Sequence, residues 1–249
     1  MPIRPNRAAC SLVVGLLLTT GAAADSVDAQ FVGVGLGRNV SITYDGSSFG
    51  VFAGQLIHHI DTGGGPVDGL TTGDYTTFCT ELSQMVATSV SPFEVVGLEE
   101  APNSAPMSAV RAAAVRDLFA YAGSMPYATE STGANRDFAA AFQLAIWEVV
   151  TEYNGAAADL DLGSGTFAAS GLYASTYHGG GIGAAVTDLF GAIGIGNEVP
   201  GLRAISNFAA QDQLVMIPLP APILLGILGL AGLAWHQRMQ ARRYEPASE

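Results

Sequence analysis

Between residues 30 and 60 apolar and polar positions alternate, as in Val40-Ser41-Ile42-Thr43-Tyr44 and again over 49–60, with Asp45-Gly46-Ser47-Ser48 between the runs. A period of two puts successive side chains on opposite faces, so the stretch predicts two antiparallel strands joined in a hairpin. After a Gly-rich loop at 62–73, a short strand-like run covers 75–82, and strand-like composition continues over 86–96.

The character changes near Pro106. Residues 108–121 carry Ala, Val, Leu and Phe at helical spacing and stop at Gly123, which predicts a helix. A second helix is expected from about Asn135, a good N-cap, with Asp137 helping in the first turn, through residue 150. It is apolar nearly all round and must be buried on most faces. A loop-rich stretch, a third helical segment at 182–193 and a final strand-like run over 204–216 follow. Strands, then helices, then strands predict a β-rich domain with a helical insertion, an α+β arrangement.

The two ends break this pattern. Residues 1–24 begin with Arg4 and Arg7, run through an apolar stretch at 11–18 and finish in Ala22-Ala23-Ala24 before Asp25. A charged region, a short apolar region and small residues at a cleavage point make up a secretory signal peptide, with the cut expected between Ala24 and Asp25. Cys10 leaves with it. Near the other end, Pro218-Leu219-Pro220-Ala221-Pro222 leads into an apolar segment closed by Arg238, Arg242 and Arg243. Counted from Leu214 to Trp235 the segment just reaches the ~20 residues a bilayer demands, and the Arg side stays cytoplasmic.

The run IPLPAPILLGILGLAGLAWHQRMQARR resembles the C-terminal sorting signals of the PEP-CTERM class of Gram-negative bacteria, in its VPLPA variant, with Ile217 where Val is usual. The resemblance implies an exosortase-type membrane protease that cuts at the motif of Pro218 and Pro220. It further implies a stay in the inner membrane, as a single-pass anchor, before transfer to the cell surface or extracellular matrix. A plain single-pass anchor without processing is the alternative reading.

The formal net charge of -12, with ten Arg and no Lys, leaves no basic patch to neutralise a phosphate backbone, which argues against nucleic acid as a partner. His58, His59 and Asp61 could suggest a metal site, but adjacent strand residues diverge and no second cluster exists, so they read as exposed polar residues. No cofactor is implied.

Without the signal, Cys79 is the only cysteine of an exported protein, which asks for an explanation. Four fates are open: a buried inert thiol, an intermolecular disulfide, a nucleophile, or another covalent bond. Gln143 sits in the middle of the apolar second helix, where an unpartnered carboxamide costs roughly 1–3 kcal/mol. Either it hydrogen-bonds backbone in the core, or its carbonyl carbon is bonded to the sulfur of Cys79 as a thioester.

Phe78-Cys79-Thr80-Glu81-Leu82 and Phe142-Gln143-Leu144-Ala145-Ile146-Trp147 resemble the paired motifs of bacterial thioester domains, found in adhesins. That resemblance implies a β-sandwich or β-barrel with a helical part over residues 25–214, and a Cys79–Gln143 thioester shielded by Phe78, Phe142 and Trp147. The sorting signal would then occupy 215–243 and a short tail 244–249. The implied function is adhesion without turnover, in which an amine or hydroxyl on a partner surface or matrix polymer takes the Gln acyl group. Two other readings stand beside it: a structural biofilm or matrix protein in which the thioester only crosslinks the domain or is absent, and a Cys hydrolase, for which no base is evident.

Overall fold

A computed structural model describes residues 25–172 and 180–217. The expected signal peptide, including Ala24, and the sorting elements Pro218, Pro220, Arg242 and Arg243 lie outside the described residues. Among the described residues no helix is long and apolar enough to cross a membrane.

The alternating stretch forms β1 (Ser26–Tyr44) and β2 (Ser47–Asp61), an antiparallel hairpin in which Tyr44 pairs with Ser47. The loop is therefore Asp45-Gly46 alone, both at positive φ (48° and 74°), the conformation of the tight turn that suits twisted strands. Ser47 and Ser48, expected in the turn, already belong to β2. The hairpin shifts register twice, at residues 31–33 and 34–37, and there Gly37 and Gly54 let the two backbones meet. A Cβ on Gly37 would come within 2.3 Å of the Ala53 carbonyl oxygen.

Five further strands complete one antiparallel sheet: β3 (Gly73–Cys79), β4 (Ser91–Val96), β5 (Phe167–Ser170), β6 (Leu202–Asn207) and β7 (Ala210–Met216). The order β2-β3-β7-β6-β4-β1 closes on itself, because β1 pairs with β2 on one edge and with β4 on the other. Short β5 extends that second edge at the far end of β1, where Tyr44 pairs with Phe167. Of the run expected over 86–96, only residues 91–96 are a strand; residues 80–90 form a loop.

The last strand-like run divides into β6 and β7 around the turn at Phe208-Ala209. Leu214 to Met216, counted from sequence toward the C-terminal apolar segment, are instead hydrogen-bonded in β7 between β3 and β6, and the Ile217 N–H bonds to the Gly201 carbonyl at 2.8 Å. Residues 215–217, expected in the sorting signal, are thus part of the described sheet and its hydrogen bonds.

The insertion between β4 and β6 holds α1 (Ala109–Ala122), α2 (Gly133–Thr151) and α3 (Gly181–Gly191). The Ser108 hydroxyl caps α1 by accepting from the Arg111 N–H at 3.3 Å, and Gly123 at φ 55° ends it. The cap of α2 is Thr132, whose hydroxyl accepts from the Asn135 N–H at 3.1 Å. Asn135 therefore lies inside the first turn. Asp137, expected to help at that turn, is instead buried and paired with Arg38 of β1 at 2.8 Å. As its composition demands, α2 is enclosed by β1, β2, α1 and α3, with residues 137–150 all buried.

Adjacent strand residues feed two apolar clusters. Val215, Ile60, Phe93 and Val27 fill the inside of the strand ring, while Leu214 and Phe78 face outward into the larger helical cluster with Phe142 and Leu118.

Candidate functional site

Cys79 ends β3 opposite Gln213 of β7, and it is held from two directions. From α2, the Gln143 carbonyl oxygen accepts from the Cys79 N–H and its amide nitrogen donates to the Cys79 carbonyl, each at 2.9 Å. The Gln143 carboxamide thus extends the ladder on the β2 side of β3, where pairing with β2 ends at Thr77, which explains a polar side chain with 1% exposure in an apolar helix. Both of its polar ends face the main chain of Cys79.

The sulfur faces elsewhere. Cys79 Sγ lies 2.9 Å from Gln211 Oε1, to which the thiol donates, and 3.8 Å from Gln213 Nε2. Gln211 is fixed at its other end by donation from Nε2 to the Glu81 carbonyl at 2.6 Å, and its own N–H bonds to the Met85 carbonyl at 2.9 Å. Sequence reasoning treated 211–213 as part of a strand and missed these residues. Their signal is a run of Gln-Asp-Gln before an apolar stretch, and all of it is buried.

Asp212 points the other way along the strand and organises the β6–β7 turn, accepting from the Ser206 hydroxyl at 2.8 Å and the Asn207 N–H at 2.7 Å. Cys79 is 5% exposed and has no disulfide partner. Burial pushes its thiol up to about 12 against an opposing hydrogen bond from Gln213, with a smaller upward push from the nearby Glu81 charge, so the sulfur stays protonated near neutrality.

A cleft of about 410 Å³ opens onto the pair. Cys79, Gln211 and Trp147 line it together with apolar side chains such as Phe31, Phe52 and Leu56, and Val34 and Met85 form an exposed apolar rim. The Trp147 indole N–H and Gln84 Oε1 are both buried without a hydrogen-bond partner.

Of the residues expected to shield the bond, Trp147 borders the cleft, packed on Phe167 with centroids 6.1 Å apart. Phe78 and Phe142 meet edge to face at 5.0 Å in an aromatic cluster with Phe119, on the other face of β3 from the sulfur. Asp25, after the expected cleavage point, is the first described residue, and its carbonyl accepts from the Val95 N–H at 2.7 Å.

The two adjacent histidines do diverge. His59 is exposed and meets Asp74 at 2.7 Å, but His58, expected at the surface, is 0% exposed, and burial drives its pKa down to about 4. Among the described residues no group of His, Cys, Asp and Glu could hold a metal ion. Nor does a histidine contact the Cys79 sulfur among them; its polar neighbours are carboxamides.

No family model, curated protein or solved structure matches the chain.

Proposed function

We propose that this is an exported surface or matrix protein whose Cys79 forms an internal thioester with a glutamine side chain and uses it once, for covalent attachment to a nucleophile-bearing partner. The observation that carries the reading is the 2.9 Å approach of Cys79 Sγ to the Gln211 carboxamide inside an apolar cleft. On that geometry the acyl donor is Gln211. Gln143, the partner expected from sequence, holds the backbone of Cys79 in place.

The steps follow from the contact. Sulfur adds to Cδ of Gln211, the C–N bond breaks, and ammonia leaves with the thiol proton. A partner amine or hydroxyl reaching the same carbon through the cleft then forms a C–N or C–O bond as the C–S bond breaks, and its proton passes to sulfur. The product is an amide or ester tether plus a free thiol. Apolar walls keep water from the thioester in the meantime, and a chain without Lys offers no side-chain amine to consume it.

In this reading the domain is of the thioester type, with the strand ring as its barrel. Export runs through signal cleavage at Ala24–Asp25 and exosortase-type processing at the inner membrane of a Gram-negative cell. Intact mass of the mature chain tests the chemistry. A deficit of one ammonia is expected, absent in Cys79→Ala and lost on methylamine treatment; an unmodified mass would sink the proposal. Peptide mapping after labelling assigns the bond to Gln211 or returns it to Gln143.

A second reading is favoured by the 5% exposure of Cys79: a purely structural crosslink in a matrix protein. It predicts the same mass deficit but resistance to methylamine in the folded state.

A further inference from the structure

We infer that a buried chain of side chains from His58 through Thr77 to Gln213 polarises the Gln211 carbonyl for acyl transfer, with Gln213 as the donor at the reacting oxygen. The inference rests on the Cys79–Gln211 thioester proposed above and adds residues that the bond itself does not require.

The chain crosses three neighbouring strands. His58 on β2 has Nδ1 2.8 Å from the Thr77 hydroxyl of β3. That hydroxyl donates to Gln213 Oε1 of β7 at 3.3 Å, and Gln213 Nε2 in turn donates to Gln211 Oε1 at 3.3 Å. His58, Thr77 and Gln213 are each 0% exposed. Three polar side chains sealed inside a strand ring are expensive to bury and are held by one another and by main chain, the Thr77 hydroxyl lying 3.4 Å from the Leu56 carbonyl and Gln213 Nε2 donating to the Gln211 carbonyl at 3.2 Å.

The order of donors and acceptors gives the chain a direction. A carboxamide has an accepting end and a donating end. By donating to Gln213 Oε1, Thr77 turns Gln213 Nε2 toward Gln211 Oε1 and the sulfur. The flipped amide would set its oxygen against both the main-chain carbonyl and the Oε1 of Gln211, which lie 3.2 and 3.3 Å from Gln213 Nε2. His58 fixes the hydroxyl in the same way. Its Nε2 has no partner, so the one proton of the neutral ring gains a hydrogen bond only on Nδ1, where it points at the Thr77 oxygen. Along this path the donors run from His58 toward Gln211, with the Gln213 amide nitrogen shared between the two Gln211 oxygens.

When sulfur adds to Cδ of Gln211, negative charge develops on Oε1, and it develops on the same oxygen when an amine later attacks the thioester carbon. The Gln213 N–H is already there in both steps, as a preorganised donor at a developing oxyanion. Gln213 touches the reacting oxygen and is catalytic; Thr77 and His58 act through it and are positioning residues.

The test uses the full chain carrying Gln213→Met, Thr77→Val or Thr77→Ser, with methylamine as probe and intact mass as readout, alongside thermal melts. Among molecules that carry the ammonia deficit, Gln213→Met is expected to react with methylamine roughly 100-fold more slowly, the usual effect of losing one oxyanion donor. Thr77→Val, close in shape and so able to fold where Gln213→Met does not, is expected to slow it by roughly 10-fold, and Thr77→Ser to restore the rate. A structural role alone would shift the melting temperature and leave these rate constants in place. Rates within twofold of the parent for Gln213→Met or, where that variant does not fold, for Thr77→Val overturn the inference while the thioester stands. So does a mapped bond at Gln213 itself. A parent chain with no ammonia deficit overturns both.

Discussion

Cys79 is met by carboxamides on two sides, and the two encounters differ in kind. On the helical side, Gln143 engages the N–H and C=O of Cys79 at 2.9 Å each, a closed exchange in which donor and acceptor on both partners are satisfied. On the ring side, Gln211 offers its carbonyl to the sulfur, with a second donor from Gln213 on the same oxygen. The first arrangement resembles one more rung of a sheet and has nothing left over to react. The second sets a thiol and an amide N–H on one carboxamide oxygen, the arrangement that the proposed thioester would use. Identical side chains within reach of one residue thus face different atoms of it, the main chain for Gln143 and the sulfur for Gln211, and the proposal gives the chemical role to the second.

The sharpest way to break this contrast is to delete each glutamine. Gln211→Leu is expected to remove the ammonia deficit and methylamine incorporation entirely while the chain stays folded, read by intact mass and circular dichroism. Gln143→Leu is expected to do the reverse. Leaving the N–H and C=O of Cys79 unmet in the core costs roughly 1–3 kcal/mol for each group, measurable by denaturant titration, while the folded molecules keep the deficit. If Gln143→Leu alone abolished the deficit, the roles would be exchanged.

A third measurement probes the helix that carries Gln143. Glu148 of α2 is 0% exposed, and burial, with Glu152 and Asp161 nearby, raises its pKa from 4.5 to about 7. Its folded form therefore holds a proton more tightly than its unfolded form. Stability from this group is present below about 4.5, falls as pH rises toward 7 and levels off above it, a loss on the order of 3 kcal/mol. The midpoint of unfolding is expected to drop between pH 5 and pH 8 (roughly the interval in which this group ionises), and Glu148→Gln to flatten the drop. The smallest effect is at the start of that helix: Thr132→Ala should cost about 1 kcal/mol and Asn135→Ala clearly less, with the ammonia deficit unchanged in both.

Much of this architecture is written in local pattern. The alternation over 30–60 and the Asp45-Gly46 turn predict the first hairpin, and Ser108 and Gly123 bracket α1. The start of α2 was misread because Asn135 and Thr132 are both competent caps, and which one serves is decided by where the chain enters from Pro126 and Ala128. Those residues are pinned through their carbonyls by Gln55 of β2 at 2.7 and 2.9 Å. That contact spans the fold and leaves no trace in the helix itself.

The site was half legible for the same reason. Cys79 and Gln143 stand out one at a time, as a lone thiol and a polar residue in an apolar helix. Gln211 reaches the sulfur only because β3 pairs with β7 across most of the chain's length. The Gln-Asp-Gln run is a sequence signal, but within a single strand-like run over 204–216 nothing marks it as buried. The division into β6 and β7, with Phe208 exposed in the turn, places that run at the centre of the sheet, where polar residues have to be explained.

The position of Gln211 also has a mechanical meaning. It lies on β7, the last strand of the described residues, and precedes in sequence the segment proposed to hold the protein at the cell. A partner bonded to the Gln211 side chain and pulled away from the cell would load the backbone between Gln211 and that segment. Tension would bypass the helices, the long hairpin and most of the ring, which could stay folded while the tether bears the force. A bond at Gln143 would put α3, β5 and β6 in the line of pull.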